Sequence, residues 1–289
     1  MRGSAFRAAL GALYVVSFVA IGLILGRGAS FYLTPVGERA HHPGYWDWKS
    51  GGRVGHGLGI VGSTMMVLML GYSLRKRVRG LRRLGALGRW LDVHIFLGII
   101  GPLLVVLHSA FKVHGLVALS FWSMIAVAAS GVLGRYLYLQ IPRNRADEEL
   151  TLTELEKLDR TLSERLRTEF RLDERLLARL EALSSPPAAH RGLLAGLAGI
   201  VVGGFTQRRR LHAFARECRP GHAPLFRQFE LVVREKALSH RRVLLWNRVH
   251  ELFHYWHVIH KPFAVVMYLF MLVHVIVALM TGYGGLGFS

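Results

Sequence analysis

Five stretches of this chain are too long and too apolar for the surface of a water-soluble fold. They run over residues 8–25, 54–74, 90–111, 116–139 and 258–280. A helix needs about 20 mostly apolar residues to cross a bilayer. In lipid, every peptide group must find its hydrogen-bond partner within its own helix or a closed barrel. The spacing therefore predicts an all-α membrane protein of about five transmembrane helices. Composition agrees, since 52% of the 289 residues are hydrophobic. The first run follows Arg2 and Arg7, as a signal peptide would, but no small-residue cleavage pattern follows it, so a retained anchor is expected.

Charge orients the spans. The chain holds 37 Lys+Arg against 18 Asp+Glu, a net charge of +19. These cations flank apolar runs and accompany no nucleic-acid recognition motif, so lipid and topology account for them and no nucleic-acid partner is expected. Residues 75–89 carry no acid and are placed in the cytoplasm. The aromatic-rich segment between the first two spans, and the short turn at 112–115, are placed outside. The N-terminus is then inside and the C-terminus outside, in what is expected to be a bacterial inner (cytoplasmic) membrane.

Four regions follow. Residues 1–53 form an anchor and outer loop. Residues 54–139 hold three spans of a bundle, residues 140–257 form a helical cytoplasmic insertion, and 258–289 form the last span and tail. Leu155, Leu158, Leu162 and Leu166 recur at helical spacing, predicting an amphipathic helix or hairpin over 150–183. It would pack on the basic loop or dock a partner. The stretch 192–205 is apolar but short for a span, suiting an interfacial or re-entrant helix. The glycine-rich 282–287 follows a span rather than a strand and is read as a flexible tail.

The chemistry rests on histidines. The one cysteine, Cys218, makes neither a disulfide within the chain nor a Cys-based cluster. His94 and His108 bracket the third span, and His260 and His274 the fifth, both pairs fourteen positions apart. That is about 21 Å of helical rise and roughly 40° short of whole turns. Each helix thus carries two imidazoles on nearly one face, one toward each side of the membrane. Both spans run from inside to outside, so His94 is level with His260 and His108 with His274. Two level pairs suit two six-coordinate haem irons stacked across the bilayer. Hydrogen-bonded structural histidines, a proton path and transition-metal ligands are the alternatives.

A haem plane needs small neighbours. Gly57 and Gly71 are also fourteen apart, on the second span, among Gly55, Gly59, Gly62 and Ser63. Close approach of membrane helices would explain them equally well. Arg89, Lys261 and Arg135 near the inner site, and Lys112 and Arg53 near the outer one, are candidate partners for haem propionates or simple topology charges. His56 and His114 near the outer surface, and His250, His254 and His257 before the last span, are further candidates. Pro262 is expected to kink or begin the regular part of that span.

Paired H-x13-H on two parallel spans resembles the four-helix haem-binding core of di-haem membrane b-type cytochromes. That group includes cytochrome b of quinol-oxidising bc complexes and the ferric reductase-like transmembrane group. The resemblance covers roughly residues 54–139 and 258–282. It implies two b-type haems with His94, His108, His260 and His274 as axial ligands, and Gly57 and Gly71 as the matching glycine pair. It further implies electron transfer between a quinone or quinol and a redox partner protein, as the electron-transfer subunit of a membrane oxidoreductase. No GxGxxG on a strand–helix unit and no nucleophile–base constellation is present, so the catalytic residues of any attached reaction are unassigned. A haem-free transition-metal transporter or proton channel, and a structural subunit, stay open as other readings.

Overall fold

The computed structural model describes residues 2–141, 150–185, 209–218 and 223–281, and contains no strand among them. The helices are α1 (Arg2–Leu33), α2 (Tyr45–Trp48), α3 (Arg53–Arg77), α4 (Leu87–His108), α5 (Gly115–Gln140), α6 (Leu152–Thr168), α7 (Glu174–Ser184) and α8 (Ala223–Met280). Residues 209–217 form a further helical stretch. The apolar stretch at 192–205 and the tail at 282–287 lie outside the described residues.

Among the described residues, five helices are long and apolar enough to cross a membrane: α1, α3 continued back through α2, α4, α5 and α8. The chain is an all-α integral membrane protein. Large apolar side chains such as Val15, Val19, Val132, Val265 and Leu272 point outward along these helices, the surface that lipid rather than water would cover. Helix ends do not follow the hydropathy boundaries. α1 extends past both ends of its apolar run, and α8 continues through Pro262 as one helix of 58 residues. Helical hydrogen bonding carries on past the lipid edge wherever nothing in the sequence stops it, and a single proline removes only one amide donor. α4 stops earlier than its apolar run. Ala110 and Phe111 turn left-handed, with φ of 47° and 59°, so His108 is its last residue.

Packing divides the chain into two compact units, Met1–Leu133 with His257–Ser289, and Gly134–Trp256. In the first unit α3 and α4 cross most closely at Gly62 and Gly101. A Cβ on Gly62 would lie 2.8 Å from Val105 Cγ2 and 3.0 Å from the Gly101 carbonyl oxygen. Phe96, Ile100, Leu104 and Leu107 of α4 bury against Leu58 of α3 and Ile21 of α1. Met66 of α3, Met124 of α5 and Met267 of α8 form a separate buried layer. Two hydrogen bonds tie that layer together: Tyr268 Oη donates to the Met66 carbonyl at 2.6 Å, and Ser120 Oγ to the Met267 carbonyl at 3.1 Å.

The loop after α1 is held by a buried cation. Arg39 is 4% exposed. Its Nε donates to the Thr34 carbonyl at 2.8 Å, one terminal nitrogen donates to the Tyr32 carbonyl at 2.8 Å, and the other donates to the Ala110 carbonyl. The guanidinium also lies 5.2 Å from the centre of the Phe31 ring. Non-glycine residues seldom adopt positive φ, and Arg39 anchors the turn that does so directly after His108. Arg39→Met is expected to destabilise the protein by about 2–3 kcal/mol, because one buried and two part-buried carbonyls lose their charged donor. Thermal unfolding in detergent checks this. Arg53→Met, which removes only an exposed 3.5 Å contact to Asp47, should barely move the midpoint.

In the second unit, the amphipathic segment is a hairpin rather than one long helix. Thr151 and Glu154 form a reciprocal capping box at the start of α6, and Asp173 caps α7. Between them Arg171 takes φ 52° and reverses the chain. Leu162, Leu166, Leu177 and Leu180 then close over Phe214, Phe229 and Val233. The leucine periodicity survives across both helices because both supply the same core.

Candidate functional site

The histidines that bracket α4 and the second half of α8 meet in two groups, both within the first unit. In one group the His108 and His274 rings stand 6.3 Å apart between centroids, with an angle of 60° between their planes. Two imidazoles on opposite sides of one metal ion, each nitrogen about 2 Å from it, have their centroids about 6 Å apart. Ordinary packing of two rings gives a similar separation, as Tyr14 and Phe18 show at 6.3 Å.

The hydrogen bonds select which nitrogen is available. His108 Nδ1 is 2.9 Å from the Gly55 carbonyl. A carbonyl only accepts, so Nδ1 carries the proton and Nε2 keeps its lone pair. A second partner that fixes ring and tautomer in this way is what a ligating histidine needs. The ring also lies flat on α3. A Cβ on Gly59 would fall 2.6 Å from His108 Nδ1 and 2.9 Å from its Cγ, closer than real side chains approach. Gly59 is therefore a seat for the imidazole.

In the second group the Nδ1 atoms are again engaged. His94 Nδ1 lies 3.0 Å from the Met69 carbonyl on α3, which again leaves Nε2 as the free base. His260 Nδ1 is 2.7 Å from Ser130 Oγ on α5. Ser130 Oγ already donates to the Val127 carbonyl at 2.9 Å, so its lone pair accepts from His260 Nδ1–H. His94 and His257 are the electrostatic neighbours of His260, and the Tyr72 ring lies 5.1 Å from that of His94. In both groups the α4 histidine is oriented by an α3 backbone carbonyl.

No family model, curated protein or solved structure matches the chain.

A Cβ on Gly57 would meet nothing within 4 Å, and one on Gly71 would touch only Trp90 Cζ3, at 3.4 Å. Neither glycine is needed for the α3–α4 contact, whereas Gly59 and Gly62 are. Arg89 is exposed and places its guanidinium 5.7 Å from the centre of the Phe6 ring, and Lys261 is exposed on α8. Lys112 lies 5.8 Å from the Tyr45 ring centre. His114 is exposed. His56 is different. It is an electrostatic neighbour of both His108 and His274, and its Nε2 is buried without a hydrogen-bond partner.

Sequence reasoning singled out the four imidazoles but not the groups that orient them. The carbonyls of Gly55 and Met69 carry no side-chain signal at all. Ser130 had one, a hydroxyl on an apolar span, but its partner is 130 positions away.

The second unit carries another cluster. Asp159, Glu181 and His240 place their polar atoms within 4.8 Å of one another. Lys236, 1% exposed, already fills the middle: its Nζ is 2.7 Å from Asp159 Oδ2 and 2.9 Å from Glu181 Oε1, and His240 Nδ1 is 3.5 Å from Asp159 Oδ2. The ammonium takes the place a metal cation would take. Burial pushes the Asp159 carboxyl up, but the hydrogen bonds and charges of His240 and Lys236 outweigh it and hold it below the ordinary aspartate range.

Proposed function

We propose that this protein is a di-haem b-type cytochrome that carries electrons across its membrane. The observation that carries the reading is the His108–His274 pair. Its rings are 6.3 Å apart, and the Gly55 carbonyl keeps the His108 Nε2 lone pair free. His94 and His260 would hold the second haem, with Met69 and Ser130 orienting them. A b-type haem supplies a one-electron ferric–ferrous couple. The protein supplies neutral imidazole bases, an apolar surround and cations at the bundle edge. The buried layer of Met66, Met124 and Met267 would exclude water between the two groups. Arg89 and Lys261 are the nearest choices for haem carboxylates at the inner side.

In this reading the N-terminus faces the cytoplasm of a bacterial cell and the C-terminus the outside. Electrons enter or leave through a quinone or quinol on one side and a redox partner protein on the other. The test is the reduced-minus-oxidised absorption spectrum of the purified protein, with a pyridine haemochrome count. Two b-type haems per chain are expected. Haem-free protein from lipid-retaining purification would overturn the reading. Gly59→Val is expected to cut the haem count from two to about one per chain, because its side chain displaces the His108 ring. Gly57→Ala, where a Cβ meets nothing, should keep both unless a haem face rests there.

One observation favours a second reading. His56, with its orphaned Nε2, makes the outer group three imidazoles, a set that suits a transition-metal ion without haem. Elemental analysis separates the two: stoichiometric copper or zinc with no haem bands would select the metal site.

A further inference from the structure

Of the four histidines, His108 has the least support from its own helix. His94 lies well inside α4, and His260 and His274 lie inside α8, but His108 is the last residue of α4. The final carbonyls of a helix have no partner within it, and helix ends fray. The two residues that follow at 110 and 111 are left-handed, a backbone state that persists only where the surroundings enforce it. An imidazole at such a place keeps its angle only if something outside the helix holds it.

The end of α1 and the loop after it supply that hold. Tyr32 donates its Oη to the Leu107 carbonyl at 3.2 Å, and Arg39 donates to the Ala110 carbonyl. These carbonyls stand on either side of His108 in the chain. Arg39 also donates to the Tyr32 carbonyl at 2.8 Å, so the two donors act as one clamp. The Tyr32 ring is itself fixed, 5.8 Å from the Trp48 ring and 5.9 Å from that of Phe111. A Cβ on Gly28 would lie 2.8 Å from Tyr32 Cε2 and 2.9 Å from Trp48 Cε3. The same loop also reaches the other partner of His108. A Cβ on Gly55 would run into the Lys49 carbonyl, so loop backbone rests on the residue whose own carbonyl accepts from His108 Nδ1. We infer that Tyr32 and Arg39 are positioning residues that set the angle of the His108 ring to that of His274. The inference rests on the reading of these histidines as haem ligands. Residues 1–53 then complete the site and are more than an anchor.

The test uses the full-length protein with its haems. Tyr32→Phe removes only the hydroxyl, and Arg39→Lys keeps the cation. The angle between two axial imidazole planes shapes the electron paramagnetic resonance signal of a ferric haem, and hydrogen bonding around the ligands tunes its potential. In Tyr32→Phe the signal and the midpoint potential of one haem are expected to shift, while those of the other keep their wild-type values. Arg39→Met should shift the same haem further or release it, and Arg39→Lys should restore part of the effect. A folding defect in Arg39→Met leaves Tyr32→Phe to decide. A lowered thermal midpoint with both haem signals unmoved would overturn the inference, and so would equal movement of both. Hydrogen exchange adds a readout that needs no haem. The amides of Ser109, Ala110 and Lys112 donate to the carbonyls of Val105, Leu107 and Ser109. In Tyr32→Phe they should exchange roughly fivefold to tenfold faster, with those at the His94 end of α4 unchanged. Equal exchange in wild type and variant would overturn the clamp. Haem-free wild type would overturn the haem reading instead, and the exchange result then decides the clamp by itself.

Discussion

Alanine at His108 is expected to lower haem content from two to one per chain, and alanine at His274 to remove the same haem. In the proposed di-haem arrangement each histidine would supply one of two axial bonds, and an iron left with a single imidazole in a membrane interior would be poorly held. The effects within a pair therefore do not add: the double variant His108→Ala with His274→Ala should retain one haem, as each single variant does. The same holds for His94 and His260. Crossing the pairs is different, and His94→Ala with His108→Ala should retain none. Spectral counting with a redox titration checks this, since the remaining haem should titrate as one component. Retention of both haems in all four single variants would overturn the ligand assignment. His56→Ala should keep two haems. If instead it empties a metal site together with His108→Ala, the three-imidazole reading takes over.

Lys236→Met is expected to destabilise the second unit by about 2–3 kcal/mol, because the partly exposed Asp159 and Glu181 carboxylates lose the charge-assisted hydrogen bonds of their shared cation. Lys236 is the most deeply buried charge there, and both Asp159 and Glu181 lean on it. The variant Lys236→Met with Asp159→Asn should recover part of the loss, because it removes one of the stranded charges along with the cation. Limited proteolysis of the full-length protein, read at sites within residues 150–256, measures both. The pH dependence has a definite sign. Asp159 is held below its ordinary range, so its contribution is fully present above about pH 4 and is lost as pH falls through its depressed native value. Acid should therefore loosen this unit in the wild type and leave the double variant less affected.

Much of this was legible from residue order, and the reason is physical. Lipid offers backbone groups no partners, so a run of apolar residues long enough to cross has to be a helix. Hydropathy alone therefore yields five of them. The same argument made polar residues at membrane depth conspicuous, which is why His94, His108, His260 and His274 stood out at once. Helical periodicity could say that each pair shares a face. It could not say which carbonyl would receive His108 Nδ1–H, since every residue has a carbonyl and only the crossing of α3 and α4 brings that of Gly55 within 2.9 Å. Nor could it choose among the glycines of the second span. Gly57 and Gly71 match the histidine spacing, but Gly59 is the one beneath the ring, because rotation of α3 about its own axis is set by packing and not by period.

The hairpin at 150–184 marks the same boundary. Its leucine pattern was readable, and its break at Arg171, a residue with no preference for turning, was not. Lys236 looked like one cation among 37 in a basic chain. Only the fold removed it from water and set two carboxylates and an imidazole around it. Sequence by itself determined the solvent, the number of crossings and the residue types able to hold a cofactor, because these depend on local composition and helical period. Tertiary structure alone decided which atoms meet, because a hydrogen bond between residues 53 or 130 positions apart depends on helix rotation and crossing, and those follow from the packing of all the helices together.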